Sequence, residues 1–439
     1  MQLIDNTQKI SGRPLGLWEH MFWLYDQACP IHFSLTAQVR GEFSIEQLKQ
    51  ALAQVQQRHS LLRVSIALDK AERPWFIENS AKIPIRVVQR QGEEDWKREL
   101  EQEISTPFVW IQAPLVRVVL LHSTNVSEII VTCHHSIADG MSALYLIRDI
   151  LQVLAKPNAL LQALPEIPPQ EFLIPKEANE ETSNNTSLLN EQNLDTQFSS
   201  RNPILKSVTC NETLLSSSYL SLRSGSLTSE TTELLIARSQ QEQTTVHGVI
   251  CAAFLKAIIQ QNCSEKPQNI NCLSAINTRN YLIPRVGENI GLYHTGLTTL
   301  HTLTPSANLY DIARSVKQQL NQGMAPDRIF EGVSQLQAWI STNPTPSVVV
   351  KEIEEQFQYD LVVTNLGRIT FSQYFDGLKL HAIYGPVGFP SLKTPWFVGV
   401  TTVEKQLFFT LVCKSTMLQA KAENIQQEAM QLLNTAIKS

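Results

Sequence analysis

Residues 129–155 read IIVTCHHSIADGMSALYLIRDILQVLA and place two adjacent histidines between a strand pattern and a helix pattern. The apolar run SEIIVTCH at 127–134 follows a second such run, PLVRVVLLH at 114–122, across the turn-prone residues STNV. Together the two runs predict a β-hairpin. Over 141–155 apolar side chains recur every three or four residues, which predicts a helix. The histidines therefore lie at the end of a rigid strand, in a loop that can carry chemistry.

The residue types in this loop suit proton transfer. Neutral imidazole, with a pKa of about 6.5, can take a proton from a hydroxyl or amine near pH 7, so His134 and His135 are candidate bases. Asp139 is too close in sequence to act as a second base across a substrate, so we expect its carboxylate to anchor the loop by pairing with an arginine. Gly140 permits a tight turn and the close approach of a ligand. No metal site is expected at His134 and His135, because adjacent histidines project differently and no third ligand has a suitable spacing.

The rest of the chain alternates further helix and strand patterns. Apolar periodicity predicts helices at 45–58, 244–261 and 419–437. Apolar runs predict strands at 218–225, 270–276, 359–367 and 407–413. From 156 to about 207 the chain is rich in Pro, Asn, Gln, Ser, Thr and Glu and has few large apolar groups, which indicates a linker.

These patterns predict an α/β protein of two mixed lobes. We expect residues 1–170 to form the first lobe, 171–207 a partly flexible linker, and 208–439 the second lobe. Residues 176–200 should be poorly packed.

The composition is that of an ordinary folded chain, with 439 residues of which 43% are hydrophobic and 18% charged. A net charge of −5 argues against a nucleic-acid partner, since such partners are usually bound by a basic surplus. The seven cysteines are odd in number and form no C-x-x-C pair, so we expect a reducing, cytoplasmic location. No signal peptide or transmembrane segment is expected.

The segment H-H-x-x-x-D-G at 134–140 resembles the signature of the chloramphenicol-acetyltransferase-like superfamily. That superfamily includes condensation domains of peptide synthetases, plant BAHD acyltransferases, alcohol acetyltransferases and polyketide-associated acyltransferases. Further segments resemble family motifs in the family's order: QRHSLLR at 57–63, NTR at 277–279, NIGLY at 289–293 and TNLG at 364–367.

The resemblance implies two chloramphenicol-acetyltransferase-like lobes, each a mixed sheet flanked by helices, with an active-site tunnel between them. It also implies that a crossover segment of the second lobe completes the sheet of the first. His135 would be the general base and His134 a buried structural residue. Arg279 would pair with Asp139 and so support the site with Gly140.

Two further residues, Asn365 and Tyr293, are candidates to line the tunnel; for Asn365 a turn-capping role is equally open. His247, on an apolar helix, is interpreted as a satisfied core residue, and His59 and Arg63 as structural. The aromatic residues Trp18, Phe22 and Trp23 are interpreted as a core cluster.

The implied activity is acyl transfer from a thioester to an alcohol or amine. The donor would be acyl-CoA or the phosphopantetheine of an acyl carrier protein, used as co-substrate, with no permanently bound cofactor. The acceptor would be a small molecule or a lipid-like compound. The D-F-G-W-G segment of condensation domains is not evident, and 385–389 is the nearest run. We also expect no attached adenylation or carrier domain. Both points favour a stand-alone acyltransferase over two alternatives, an amide-forming condensation enzyme and an inactive carrier-binding homologue.

Overall fold

A computed structural model describes residues 12–158, 160–175, 220–262, 264–356, 359–388, 395–414 and 419–438. The region 176–200, expected to be poorly packed, lies outside the described residues. Two six-stranded sheets and one three-stranded sheet are present in the described part. With helices packed on both six-stranded sheets, the architecture confirms the predicted two-lobe α/β class.

The described strands are, in chain order, β1 (Gly12–Pro14), β2 (Phe33–Arg40), β3 (Val64–Leu68), β4 (Pro74–Glu78), β5 (Ile85–Gln89), β6 (Val116–His122), β7 (Val126–Cys133), β8 (Leu220–Leu227), β9 (Gln268–Asn277), β10 (His294–Leu303), β11 (Leu361–Arg368), β12 (Tyr374–Phe375), β13 (Leu378–Gly388), β14 (Trp396–Val403) and β15 (Gln406–Lys414). The described helices are α1 (Leu17–Ala28), α2 (Ile45–Arg58), α3 (Asp95–Ser105), α4 (Gly140–Ala155), α5 (Ser229–Gln241), α6 (Val246–Gln260), α7 (Leu309–Gly323), α8 (Val333–Ile340), α9 (Pro346–Gln356) and α10 (Gln419–Ala436). Short 3-10 turns cover Ser60–Arg63 and Gln170–Leu173. The helices and strands predicted from the sequence are all present, with boundaries shifted by no more than a few residues.

Local caps explain where the predicted helices begin. Helix α2 starts after Ser44, whose hydroxyl accepts the Gln47 N–H while the Gln47 side chain accepts the Ser44 N–H. This reciprocal pair satisfies two donors that the first turn would otherwise leave exposed. Helix α4 starts after Asp139, whose carboxylate accepts the Ser142 N–H at 2.8 Å. A capping carboxylate also interacts favourably with the positive end of the helix dipole.

The first sheet has the strand order β12-β13-β2-β7-β6-β5. The predicted hairpin is its β6–β7 pair, which is antiparallel, with Val116 opposite Cys133. Strand β7 is interior, because β2 pairs with its other edge and places Phe33 opposite Cys133. Helices α2 and α4 pack together, and α4 contacts β2 and β7. The end of β7, where the two histidines follow, is therefore held on both sides.

A segment from the second half of the chain completes this first sheet. Strand β13 pairs antiparallel with β2, with Leu380 opposite Val39 and Ile383 opposite Ala37. The chain leaves the second sheet after β11 and returns to it at β14. A Cβ at Gly399 in β14 would lie 2.0 Å from the Pro386 carbonyl oxygen, so the close approach of the two segments requires glycine there. The crossover expected from the resemblance is confirmed.

The second sheet has the order β10-β9-β11-β14-β15-β8, with parallel pairs on both sides of β11. Helix α6 is buried almost all round, as its sequence predicts, and packs against α7 and α10. His247 lies on α6, where its Nε2 is 2.8 Å from the Ser274 hydroxyl. That contact agrees with the interpretation of His247 as a satisfied core histidine.

Helix α1, although early in the chain, packs against α8 and α9 from the second half. A small separate core lies beside it and contains Leu173, Leu282, Val286, Tyr293, Ile329, Phe330 and Val333. The Tyr25 hydroxyl donates a hydrogen bond to Glu354 across the same junction. Among the described helices, none has the length and apolar character that crossing a bilayer requires.

Candidate active site

The two adjacent histidines follow β7 directly and point into different surroundings. His134 is fully buried, whereas part of His135 is exposed. The His134 N–H donates to the Leu115 carbonyl, which continues the β6–β7 pairing by one step before the chain turns into α4. The local cause is the end of β7, because Cys133 is its last residue and His135 already lies in the turn toward α4.

His134 is held by groups on both ring nitrogens. Its Nδ1 accepts from the Ser136 backbone N–H at 3.1 Å and lies 2.8 Å from the Ser136 hydroxyl. Because a backbone N–H can only donate, the proton of a neutral His134 ring is on Nε2, which is 3.3 Å from the Asp26 carboxylate. His134 is therefore buried between the Ser136 backbone and the Asp26 carboxylate, and its structural role stays a prediction.

The Asp26 carboxylate on α1 is a part of the site that the sequence analysis did not predict. Burial would raise the pKa of Asp26, yet the neighbouring His134 and His32 hold it well below its usual range. His32 Nδ1 lies 3.6 Å from Asp26 Oδ1, and the Ile31 backbone N–H donates to the same oxygen at 2.9 Å. No sequence pattern signals Asp26, because it lies more than a hundred residues from His134.

His135 lies among aromatic rings and keeps a free nitrogen. Its ring stacks on Phe22 with centroids 4.6 Å apart, and the Phe33 and His294 rings lie at 4.8 and 5.1 Å. Among the described residues, no hydrogen bond from another residue to the His135 ring is present, and the buried Nδ1 is unpartnered. The ring is thus partly exposed and is not hydrogen-bonded by another described residue.

Burial lowers the pKa of His135 to about 3, and the neighbouring His294 acts in the same direction. The residue's own backbone carbonyl and Asp139 oppose this shift. A neutral imidazole at physiological pH has a lone pair available to accept a proton, which is the state a general base requires.

Asp139 and Arg279 form the buried ion pair that the sequence analysis expected. Arg279 Nη1 is 2.7 Å from Asp139 Oδ2 and Nη2 is 3.0 Å from Oδ1, a two-pronged geometry. The Tyr293 backbone N–H donates to the same carboxylate at 3.0 Å. Burial would raise the pKa of Asp139, but Arg279 lowers it to about 2. The pair joins the start of α4 to the segment between β9 and β10.

Ser142 adds a second link between the same segments. Its hydroxyl lies 2.8 Å from Asp139 Oδ1 and 2.8 Å from the Gly291 carbonyl, and it accepts from Arg279 Nη2 at 2.9 Å. The loop that carries His135 is therefore anchored to the second half of the chain by several hydrogen bonds.

Gly140 lies where the second half approaches the start of α4. A Cβ at this position would lie 2.9 Å from Leu366 Cδ2 and 3.0 Å from Pro386 Cγ. Both distances are shorter than ordinary contacts, so glycine permits β11 and β13 to pack against the histidine loop. Gly140 thus contributes to the junction between the two halves.

The two tunnel candidates lie in different settings. Asn365 is half-buried near the end of β11, and its side-chain oxygen accepts the Gly367 N–H at 2.8 Å. That contact is the turn-capping alternative for Asn365. Tyr293 is buried, with the Arg279 guanidinium 5.0 Å from its ring centroid. A tunnel-lining role for either residue stays a prediction.

Phe22 differs from its interpretation as part of a core cluster. Trp23 is buried and packs edge-on against Trp110, as a core residue would. Phe22 is half-buried and stacks on His135 instead. The physical reason is helical geometry, since neighbouring residues on α1 point about 100° apart and face different surroundings.

His294 was missed as well, although it directly follows the NIGLY segment that was recognised. Its position after Tyr293, whose backbone binds Asp139, was the available signal.

Elsewhere, His59 is buried with Nε2 2.9 Å from Asp149, and Arg63 binds backbone carbonyls, both in agreement with structural roles. Within the described part of the chain, no group of three or more His, Cys, Asp or Glu side chains is arranged to hold a metal ion. A surface cavity lined by Gln243, Arg314 and Lys317 shares no residue with the site.

Comparison with protein families gives a match over most of the chain. The family model described as Condensation domain matches residues 24–330. Among curated proteins, a component of the linear gramicidin synthase of Brevibacillus parabrevis is 28% identical over 171 residues, which cover 36% of this chain and 3% of that protein. Nonribosomal peptide synthetase kk1B of Curvularia clavata is 30% identical over 139 residues, 30% of this chain and 1% of that protein. The matched part is a small fraction of the length of these relatives.

Solved structures match the whole fold. Polyketide synthase associated protein 5 from Mycobacterium tuberculosis has a TM-score of 0.64 at 14% identity, covering 97% of this chain and 98% of that one. The TRI3 trichothecene 15-O-acetyltransferase from Fusarium sporotrichioides has a TM-score of 0.70 at 10% identity, covering 98% and 97%. At such identities the likeness shows a shared fold.

Proposed function

The chain belongs to the condensation-domain family, and from this membership we propose that it transfers an acyl group from a thioester to an alcohol or amine, with His135 as general base. The observation that carries the proposal is the state of His135: partly exposed, neutral, and not hydrogen-bonded by any other described residue. The buried Asp139–Arg279 ion pair and the hydrogen bond from the Ser136 N–H to His134 Nδ1 hold the loop that presents this ring.

The proposed acyl transfer is direct and needs no covalent acyl-enzyme intermediate. The acceptor O–H or N–H loses its proton to the His135 lone pair as its heteroatom attacks the thioester carbonyl. A tetrahedral oxyanion forms, the C–S bond breaks, and the leaving thiolate takes the proton from His135. General-base assistance contributes roughly 10²–10⁴-fold, so positioning and stabilisation of the oxyanion must supply the rest.

The co-substrate would be acyl-CoA or an acyl group on the phosphopantetheine of a carrier protein, with no resident cofactor. The partners would accordingly be a small or lipid-like acceptor and, for the second donor, an acyl carrier protein. We propose a cytoplasmic location for the reaction, because Cys133, Cys251, Cys272 and Cys413 are present as thiols, which a reducing compartment maintains.

The test measures release of free thiol from a panel of acyl-CoA and acyl-pantetheine thioesters with candidate alcohols and amines. We expect His135→Ala to lower turnover by about 10²–10⁴-fold. A matched control is His122→Ala, because His122 ends β6 at the far end of the hairpin and should leave turnover unchanged. Equal turnover by wild type and His135→Ala would remove His135 as the base.

A second candidate function is amide formation between substrates on carrier proteins. The observation that favours it is the match of the family model and of peptide synthetases. This function predicts product only when an aminoacyl carrier protein is supplied, and none with a free alcohol. Binding of a carrier protein without turnover of any thioester would instead indicate an inactive carrier-binding homologue.

A further inference from the structure

A second histidine faces His135 from the other half of the molecule. His294 is the first residue of β10, an edge strand of the second sheet. Its ring centroid lies 5.1 Å from that of His135, with 30° between the ring planes, and 5.8 Å from that of Phe22. Each half of the molecule therefore supplies one imidazole to the same aromatic cluster.

The His294 ring makes no hydrogen bond among the residues that the structure describes. Its Nδ1 is buried without a hydrogen bond, while part of the side chain is exposed. A buried unpaired polar atom costs free energy and calls for a reason. Burial also lowers the pKa of His294, although Asp139 opposes the shift, so the ring is neutral and has one N–H and one lone pair.

The position of the proton follows from which nitrogen is buried. An unpaired buried donor is rarer in proteins than an unpaired buried acceptor. A proton on Nε2 would leave only an acceptor at the buried Nδ1 and would make Nε2 a hydrogen-bond donor. In His135 the residue's own backbone carbonyl attracts a ring proton and so raises the pKa of the ring. The contact does not have the full geometry of a hydrogen bond. That carbonyl favours the proton on Nδ1, the nitrogen nearest the backbone, and leaves the Nε2 lone pair as base.

We propose that His294 is a second catalytic residue whose Nε2–H donates a hydrogen bond to the thioester carbonyl oxygen as that oxygen becomes an oxyanion. The inference rests on the proposed function. His135 takes the acceptor proton and returns it to the leaving thiolate, while His294 donates a hydrogen bond and transfers no proton. The two neutral imidazoles would thus divide the work of base and oxyanion donor between the halves of the molecule.

Three variants separate this role from packing. His294→Phe keeps a ring beside His135 and Phe22 but removes the donor, and we expect kcat to fall about 10²–10³-fold with KM within about 3-fold. His294→Gln restores an N–H donor and should recover kcat at least about 10-fold relative to His294→Phe. His122→Phe, the same change at the far end of the β6–β7 hairpin, should behave as wild type. A packing role would make phenylalanine the better substitute.

A second measurement does not depend on turnover. Long-range ¹H–¹⁵N spectra of the full chain, assigned with His294→Phe, should show His294 as the neutral Nε2–H tautomer. An Nδ1–H tautomer would overturn the inference, as would a His294→Phe variant that keeps kcat within about 3-fold of an active wild type. If the wild type releases thiol from no thioester, the proposed function fails and this inference fails with it, which is a distinct result.

Discussion

At the scale of single residues, His134 and His135 have the same side chain and different environments. His134 has a backbone donor on one nitrogen and faces a carboxylate with the other. His135 has aromatic rings around it and no hydrogen bond from another described residue. An imidazole whose nitrogens are engaged holds structure, and one that remains unengaged can exchange a proton with a substrate.

The lowered pKa of His135 predicts an unusual pH dependence. As the proposed base, His135 acts when unprotonated, so a pKa near 3 would keep it active throughout the range from pH 8 to about pH 5. We expect kcat/KM not to fall as the pH is lowered over that range. Circular dichroism at each pH serves as the control for unfolding. An acid limb with its midpoint near pH 6.5, the ordinary value for histidine, would contradict the expectation.

The buried ion pair between Arg279 and Asp139 predicts a large loss of stability when one partner is removed. Arg279→Met leaves a buried carboxylate without its cation, which should cost about 3–5 kcal/mol of unfolding free energy in urea titration. The matched control is Arg314→Met, because the Arg314 side chain is 39% exposed in its pairs with Glu242 and Asp311. That control should change stability by no more than about 1 kcal/mol. Equal losses of unfolding free energy in the two variants would show that the buried ion pair contributes no more to stability than the exposed one.

At the scale of elements, the junction of α4, β11 and β13 decides how closely the two halves approach. Strand β13 extends the first sheet by pairing with β2. The side chains of Leu366 and Pro386 pack closely against Gly140. The loop with the histidines is therefore bordered by elements from both halves, and its geometry depends on their packing.

Gly140→Ala tests this junction. The added methyl would lie closer to Leu366 and Pro386 than an ordinary van der Waals contact. We therefore expect the unfolding free energy, measured by thermal or urea unfolding, to fall by about 1–3 kcal/mol. Gly92→Ala is a suitable control, because its Cβ would have only an ordinary contact of 3.7 Å with Asp95. A Gly140→Ala variant as stable as Gly92→Ala would contradict this prediction, because it would show that Leu366 and Pro386 shift at little cost.

At the scale of the whole molecule, charged and polar contacts tie the halves together. Glu288, beyond β9, binds Arg148 of α4 and Arg58 of α2. Tyr25 of α1 binds Glu354 of α9. The cluster of His135 and His294 spans the same junction, so closure of the two halves is what assembles the candidate site.

Buried histidines make the folded state sensitive to acid. Burial lowers the pKa of several of them: His20, His59, His135, His294, His301 and His381. Below about pH 6.5 these side chains protonate in the unfolded chain before they do so in the folded one, so the unfolded state binds more protons and stability falls. Four groups with raised pKa values act in the opposite direction, because they bind protons in the folded state first: His247, Glu101, Glu171 and Asp360.

We therefore expect Tm to fall steadily between pH 7 and pH 5 in differential scanning calorimetry. Below pH 4 the loss should steepen, because the lowered pKa values of Asp26 and Asp139 add stability only while those carboxylates stay ionised. His135→Gln removes one of the titrating groups and should make the dependence of Tm on pH shallower. A Tm that holds or rises from pH 7 to pH 5 would contradict this account.

The sequence by itself determined the elements and located the histidine loop. Helix and strand periodicity over eight to eighteen residues located α2, α4, the β6–β7 hairpin and α6, because burial of one face is a local property of a segment. The H-H-x-x-x-D-G segment identified His135, and the resemblance it carries led to Arg279 and the crossover strand.

Only the tertiary structure decided which distant groups meet. Asp26 reaches His134, Phe22 stacks on His135, and His294 arrives from the second sheet. No local pattern encodes these contacts, because they depend on how α1 packs and on where the end of β10 falls once both sheets close. Sequence periodicity sets which face of a segment is buried, whereas packing of whole elements sets which side chain lies opposite it.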